Sequence, residues 1–149
     1  MRIVSAGLPG PLLLRGDKCR VLQIAGMPPG LFPEATYEEF SLQLQPGDSV
    51  FFCTHGLTHA RNAMEEEFGV ERIEEACVRH AGESAPDLLG HVFSEIGKFT
   101  ANCRQRDDMT AAVFHYPSRS ANPAVWLLNG QQRDQIQLTP LGFSRKNRR

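Results

Sequence analysis

The chain has 149 residues, of which 41% are hydrophobic and 22% charged, and its formal net charge is −1. This composition is that of an ordinary globular domain. The small net charge gives no general attraction to nucleic acid or to an anionic membrane surface, and no apolar run approaches the length of a membrane span. We therefore expect a cytoplasmic protein with neither nucleic acid nor membrane among its partners.

The four cysteines stand far apart in the sequence, at Cys19, Cys53, Cys77 and Cys103. This spacing offers neither a zinc knuckle nor a CxxC redox pair. We expect four reduced thiols, as is usual in the cytoplasm.

The first third of the chain is predicted to form strands. They cover residues 2–6, 11–15, 19–24, 37–45 and 49–54. The second and third read as a hairpin around Gly16-Asp17, and the proline- and glycine-rich residues 25–33 read as a loop. The last strand, "SVFFCT", is apolar on both faces, which predicts a central strand that is covered on both sides.

Residues 55–100 are predicted to be helical. One helix runs across residues 70–80, with Val70, Ile73, Cys77 and Val78 on its apolar face, and it ends near Gly82. Ser84 then caps a second helix, whose apolar stripe runs from Leu88 to Phe99.

The last part of the chain is predicted to return to strands. Residues 109–116 read as one strand, and residues 124–138 read as a hairpin around Asn129-Gly130. Strands, then two helices, then a strand indicate an antiparallel α+β fold, not a doubly wound parallel sheet.

Polar side chains gather at two strand ends. Thr54-His55-Gly56 follows the apolar strand, and Asp107-Asp108 precedes the strand that begins near Met109. If these strands are antiparallel neighbours, His55 and Asp107 meet at one edge of the sheet. A carboxylate and an imidazole placed in this way are candidate ligands for a divalent metal. The alternative is a polar loop in which Asp107 or Asp108 serves as a turn residue.

The other polar features suggest no site. The remaining histidines show no ligand spacing and are expected to be structural or exposed; they are His59, His80, His91 and His115. The glutamates between Glu65 and Glu75 are expected to form a solvated face, and the basic residues 145–149 a disordered tail.

Four motifs in combination resemble the C-terminal half of a bacterial PPM-type serine/threonine phosphatase domain, in the branch of stage II sporulation protein E. They are Pro46-Gly47-Asp48, the run "THGLTHARN" at 54–62, "FGVERI" at 68–73, and "DDMT" at 107–110. Two upstream segments, "VSAGLPGPLLL" and "GMPPGLF", also resemble this family. The resemblance covers residues 1–117 and leaves residues 118–149 as a tail with a possible hairpin.

The resemblance implies a fold, a chemistry and a partner. The fold would be part of an α-β-β-α sandwich, an antiparallel sheet with two covering helices. The chemistry would use two Mn²⁺ or Mg²⁺ ions that generate a hydroxide to attack phosphoserine or phosphothreonine. Asp107 matches one metal-binding aspartate of the family, and His55 occupies the position of another. The partner would be a phosphorylated protein such as an anti-sigma-factor antagonist; no catalytic or substrate-binding side chain is assigned.

The sequence departs from the family in three ways. His55 replaces a metal-binding aspartate, Leu8 and His59 replace a common histidine and a common glutamate, and the aspartate motifs of the family's N-terminal half do not occur in these 149 residues. Two functions remain open: a phosphatase half that is inactive alone, and a pseudophosphatase that binds partners without catalysis. A partner-binding role of the tail around Trp126 is a third idea. We also expect the incomplete sheet to expose apolar surface and the chain to self-associate.

Overall fold

The computed structural model describes residues 1–101, 103–117, 124–130 and 137–141. Within them the strands are β1 (Arg2–Ile3), β2 (Leu12–Arg15), β3 (Lys18–Val21), β4 (Phe40–Ser41), β5 (Ser49–Cys53), β6 (Met109–His115), β7 (Ala124–Gly130) and β8 (Gln137–Leu141). The helices are α1 (His55–Thr58), α2 (Gly69–Arg79) and α3 (Ala85–Thr100). The main sheet is antiparallel, in the order β3-β2-β5-β6-β7-β8, and β1 pairs with β4 separately. The predicted α+β fold is confirmed.

The N-terminal strands keep their predicted order, but all five are shorter than predicted, and β1 and β4 are shortened most. The hairpin of β2 and β3 is confirmed, with Gly16 at φ +58° in its turn. The strand predicted over residues 2–6 contracts to β1, because the amide of Gly7 donates to the carbonyl of Gly26 at 2.9 Å and draws the chain away. The strand predicted over residues 37–45 pairs only at β4.

One face of the main sheet is covered by α2 and α3. Phe51 and Cys53 of β5 point to this side and pack in a core with Ile73 of α2 and Leu89 of α3. All four cysteine thiols are free, and burial raises the pKa of the Cys53 thiol to about 11, which keeps it protonated.

The opposite face of the sheet is covered less completely. Val50 and Leu13 are buried there beneath Ile3 and Leu42. Phe52 and Phe114 are only half-buried and line a groove of 530 Å³ together with Met1, Leu44 and Val125. The predicted covering of β5 on both sides therefore holds at Val50 and is incomplete at Phe52.

The two long helices follow the sequence signals closely. The amide of Asp87 donates to Oγ of Ser84 at 3.3 Å, which confirms the predicted cap of α3. Gly82 adopts φ +87° in the turn between the helices. Val78 is the exception, because it is 41% exposed although the helical spacing placed it on the apolar face.

The C-terminal strands extend the main sheet. β7 pairs with β6 along its whole length, from Met109 opposite Gly130 to His115 opposite Ala124, and β8 pairs with β7. The predicted turn at Asn129-Gly130 is wrong, because this register carries β7 through both residues. The connection falls in residues 131–136 and the basic tail in residues 142–149, both outside the described residues. None of the helices in the described part is long and apolar enough to cross a membrane.

Candidate functional site

The end of β5 lies beside the start of β6, as the sequence predicts. The two strands are antiparallel, with Cys53 opposite Ala111. Thr54 joins them beyond the ladder: its amide donates to the carbonyl of Thr110 at 2.9 Å, and its hydroxyl donates to the carbonyl of Asp108 at 3.0 Å. The same hydroxyl accepts from the amide of Thr110 at 3.1 Å. Thr54 therefore fixes the backbone that carries the two aspartates.

Gly56 brings α1 into direct contact with this backbone. A Cβ atom on Gly56 would lie 2.3 Å from the carbonyl oxygen of Asp108 and 3.3 Å from that of Asp107. The approach to Asp108 is far below van der Waals contact, so only glycine permits it. The glycine after His55 is thus a packing requirement of the sheet edge.

His55 and Asp107 belong to neighbouring backbone but line different spaces. Both residues are exposed. His55 lines an open groove of 480 Å³ with Leu8 and Pro28, whereas Asp107 lines a cavity of 160 Å³ that also includes His59 and Met109. The juxtaposition of the two segments is observed, and the roles of both side chains stay predictions.

The donor set at this edge does not complete a two-metal centre. Mn²⁺ and Mg²⁺ favour about six ligands, mainly oxygen, in octahedral geometry. Over the described ranges, no three histidine, cysteine, aspartate or glutamate side chains converge at His55 and Asp107. His55 and Asp107 offer one imidazole and one carboxylate, and the described residues add no third donor that converges on both, which is too few for two dications.

His55, the first residue of α1, stacks on His59, which directly follows this helix. Their ring centroids are 5.1 Å apart and the planes are inclined by 29°. The amide of His59 and the hydroxyl of Thr58 both donate to the carbonyl of His55, at 2.8 and 3.1 Å. The backbone at position 55 is therefore held by its own short helix.

Arg61 and Asn62 fold the loop that follows α1. Oδ1 of Asn62 accepts from the amides of Met64 and Glu66, at 2.9 and 3.0 Å. Arg61 pairs with Glu67 at 2.6 Å, and its hydrogen bond to Glu65 is the main cause that lowers the pKa of that carboxyl. The acidic face predicted between Glu65 and Glu75 is thus partly neutralised by arginine.

The opposite end of β5 is held by a buried ion pair. Asp48, the last residue of the "PGD" motif, is 1% exposed. It accepts from Nε and Nη2 of Arg15 at 2.9 and 2.6 Å, and from the amide of Gln45 at 2.7 Å. Burial opposes the charge of Asp48, but the bonds from Arg15 and Gln45 outweigh it and hold its pKa below the ordinary value.

A second polar cluster lies at the corner between α2 and α3. His80 and His91 stack with ring centroids 3.9 Å apart, and Nδ1 of each ring contacts one oxygen of Glu83. The contact with His80 is the main cause that lowers the pKa of Glu83. The sequence showed no ligand spacing among these histidines, and the structure brings two of them together on one carboxylate. The short turn before Ser84 could have indicated this contact from the sequence, because it makes the end of α2 and the first turns of α3 neighbours.

The sequence profile of the family "Stage II sporulation protein E (SpoIIE)" matches residues 1–117. Among solved structures, the phosphatase domain of SpoIIE from Bacillus subtilis (Mn presoaked) is similar, with 17% identity and a TM-score of 0.63 over 81% of this chain and 52% of that chain. The SiaA-PP2C domain of Pseudomonas aeruginosa is also similar, with 18% identity and a TM-score of 0.63 over 77% of this chain and 46% of that chain. No curated protein matches.

The chain thus spans about half of the length of the solved domains that it resembles. At these identities the structural similarity establishes the fold. It confirms the partial phosphatase-type sandwich that the four motifs imply.

Proposed function

Because the chain belongs to the stage II sporulation protein E family, we propose that it is the C-terminal half of a PPM-type serine/threonine phosphatase domain that acts in bacterial signalling in the cytoplasm. The observation that carries this proposal is the junction of β5 and β6. Thr54 and Gly56 hold the backbone of Asp107 and Asp108 against α1, at the sheet edge where the family places metal-binding aspartates. Residues 1–117 would form this half, and residues 118–149 would be an extension of it, whose described strands β7 and β8 join the main sheet.

The metal centre of such a domain would be shared between two halves. Mn²⁺ or Mg²⁺, when bound, supplies a hydroxide nucleophile and neutralises the phosphate. Asp107 would donate a carboxylate to it, and His55 would stand where the family has a second one. The described residues supply too few oxygen ligands for this centre, so we expect the chain to be inactive alone.

The substrate would be a phosphorylated protein, such as an anti-sigma-factor antagonist. The cavity beside Asp107 is lined by Arg61, Arg104 and Arg106. Guanidinium groups bind phosphate through paired N–H donors, so this rim is suited to hold a phosphorylated segment near the sheet edge. Arg61 and Arg106 also pair with Glu65, at 3.3 and 2.7 Å, which limits their positive field.

The alternative is a pseudophosphatase that binds partners without catalysis. His55 supports it, because a neutral imidazole removes a negative charge from a site that must hold two dications. Asp107 and its intact surroundings support the enzyme.

The test measures the phosphatase activity of the chain extended by its upstream coding sequence. The substrate is p-nitrophenyl phosphate or a phosphoserine peptide, and Mn²⁺ is supplied. We expect Asp107→Ala to lower the activity by about 100-fold or more, because it removes a metal ligand. We expect His55→Asp to raise it. Asp17→Ala is the matched control, since this aspartate lies in the turn of β2 and β3, at the other end of the sheet. Absent activity and absent Mn²⁺ binding in both the extended chain and its His55→Asp variant would leave the pseudophosphatase.

We further propose that the isolated chain self-associates through the groove at Phe52 and Phe114. These rings are half-buried on the face that is covered less completely. Apolar surface of this kind favours association. In analytical ultracentrifugation, we expect the isolated chain to sediment as dimers or larger species. A strictly monomeric chain would contradict this proposal.

A further inference from the structure

Three donor side chains converge at the corner of α2 and α3. His80 follows the last residue of α2, Glu83 lies in the turn, and His91 projects from α3. Their donor atoms all lie within 4.8 Å of one another. Nδ1 of His80 is 2.9 Å from Oε1 of Glu83, and Nδ1 of His91 is 2.8 Å from Oε2. Glu83 thus holds both rings through its two oxygens.

The backbone of this corner is fixed independently of the three side chains. Gly82 turns the chain at φ +87°, and Ser84 caps α3 directly after Glu83. Ala76 and Leu88 are buried on either side of the turn and anchor both helices in the core. The stacking of the rings, with planes inclined by 23°, further restricts their rotation. A ligand that binds here therefore meets donors that are already arranged.

We propose that His80, Glu83 and His91 bind a zinc-class divalent cation, with water in the remaining position. Two imidazoles and one carboxylate are the donor set of open zinc sites. Ligand atoms around tetrahedral zinc lie about 3.4 Å apart at bond lengths of about 2.1 Å. One ligand atom from each of the three side chains lies within 4.8 Å of the other two, so small side-chain rotations bring the donors to this spacing. The three side chains are 21%, 36% and 47% exposed, which leaves a path for the cation.

Glu95 completes the environment of His80. Its Oε1 lies 3.6 Å from Nε2 of His80, on the opposite side of the ring from Glu83. This distance is longer than a hydrogen bond, so a small shift of either side chain is needed before Glu95 can accept from the second ring nitrogen and orient a ligating His80. Arg79 contacts Glu95 and holds it in place. The carboxylates of Glu83 and Glu95 also offset the charge of the cation.

This corner is separate from the sheet edge in both place and chemistry. The cavity beside Asp107 is lined on α3 by Phe93, Ile96, Gly97 and Thr100, and none of the three donor side chains of the corner lines it. The imidazoles of the corner favour zinc over Mg²⁺ and Mn²⁺, which prefer oxygen ligands. A cation bound here would cross-link α2 to α3 and stabilise the helical layer.

The test is calorimetric titration of the full 149-residue chain with ZnCl₂, with CoCl₂ as a spectroscopic probe of coordination. We expect one Zn²⁺ per chain at this corner, visible absorption of tetrahedral Co²⁺, and a rise of the melting temperature by about 10 °C at 100-fold excess over Kd. Glu83→Gln and His91→Asn are expected to weaken binding at least about 10-fold. Both replaced side chains are partly exposed, and far-UV circular dichroism checks that the variants fold.

The matched control is the double variant His55→Asn/His59→Asn, which removes the other stacked pair. It is expected to bind Zn²⁺ at the corner with unchanged affinity. The proposal is overturned if the corner variants bind Zn²⁺ as the unmodified chain does, if only the control loses binding, or if Mn²⁺ displaces Zn²⁺ at equal concentration. This test measures Zn²⁺ binding and not phosphatase activity. Its failure would therefore not count against the proposal that the chain is half of a phosphatase domain.

Discussion

Two regions of the molecule each stack a pair of histidines, and they differ in what surrounds the rings. At the sheet edge, His55 and His59 are four residues apart and their centroids are 5.1 Å apart. At the helix corner, His80 and His91 are eleven residues apart, yet their centroids are 3.9 Å apart. Glu83 contacts both rings at the corner. Within the described part of the chain, no carboxylate is hydrogen-bonded to either ring at the edge.

The difference shows that two kinds of contact bring distant residues together. At the sheet edge, strand pairing places the backbone of Asp107 and Asp108 against Gly56, while the side chains of His55 and Asp107 line separate spaces. At the corner, the side chains themselves converge on one carboxylate. The corner therefore brings three donor side chains together, whereas no such set converges among the described residues of the edge.

A pair of glycine substitutions tests this contrast most strongly. Gly56→Ala is expected to lower the free energy of unfolding by about 3 kcal/mol, because its Cβ would meet the carbonyl of Asp108 at 2.3 Å. A Cβ atom on Gly82 would meet nothing within 4 Å. Gly82→Ala is therefore expected to lower the free energy of unfolding by about 1 kcal/mol, through the positive φ alone. Urea unfolding of both variants measures the difference.

The same pair is expected to separate the two functions. Gly56→Ala displaces Asp107 and therefore lowers the activity of the extended domain, while Zn²⁺ binding at the corner persists. Gly82→Ala alters the turn that carries Glu83 and weakens Zn²⁺ binding, with activity retained. Equal losses of stability in the two variants would show that the edge tolerates a side chain at position 56, and the contrast drawn above would fail.

The sequence predicted the two regions unequally, for physical reasons. Alternation and turn signals located β5 and β6, and their antiparallel pairing then follows from the order of elements. This was enough to place His55 beside the backbone of Asp107. The order of elements could not predict that the side chains of His55 and Asp107 line different spaces, because this depends on how α1 and the loop at residues 7–10 pack.

At the corner, the helices and the Ser84 cap were predictable from the sequence, but the convergence of His80 and His91 was not recognised. Their separation of eleven residues matches no spacing within one helix, and it becomes meaningful only when α2 and α3 are placed side by side. In the same way, the turn predicted at Asn129-Gly130 failed because pairing with β6 outweighed a local turn signal. Tertiary contacts decide both cases.

A smaller effect is expected at Asp48, which belongs to neither region. Asp48→Asn leaves the geometry of the β5 start similar but removes the charge that Arg15 binds through two nitrogens. We expect a loss of about 2 kcal/mol at pH 7, since the carboxylate is buried and Arg15 is half-exposed. Because this is a loss of global stability, hydrogen exchange should rise equally at the sheet edge and at the corner. Faster exchange at the edge alone would show that the two regions unfold separately.

The pH dependence of this loss follows from the lowered pKa of Asp48. A carboxyl group whose pKa is lower in the folded state stabilises the protein fully above its unfolded pKa of about 3.9. The stabilisation is then lost as the pH falls through the folded pKa. The stabilities of the unmodified chain and of the Asp48→Asn variant should therefore differ by a constant amount above about pH 5 and converge in more acidic solution. Urea unfolding of both proteins from about pH 7 downwards measures this convergence. A gap that does not begin to narrow below about pH 4 would mean that the amide costs stability through packing rather than through lost charge.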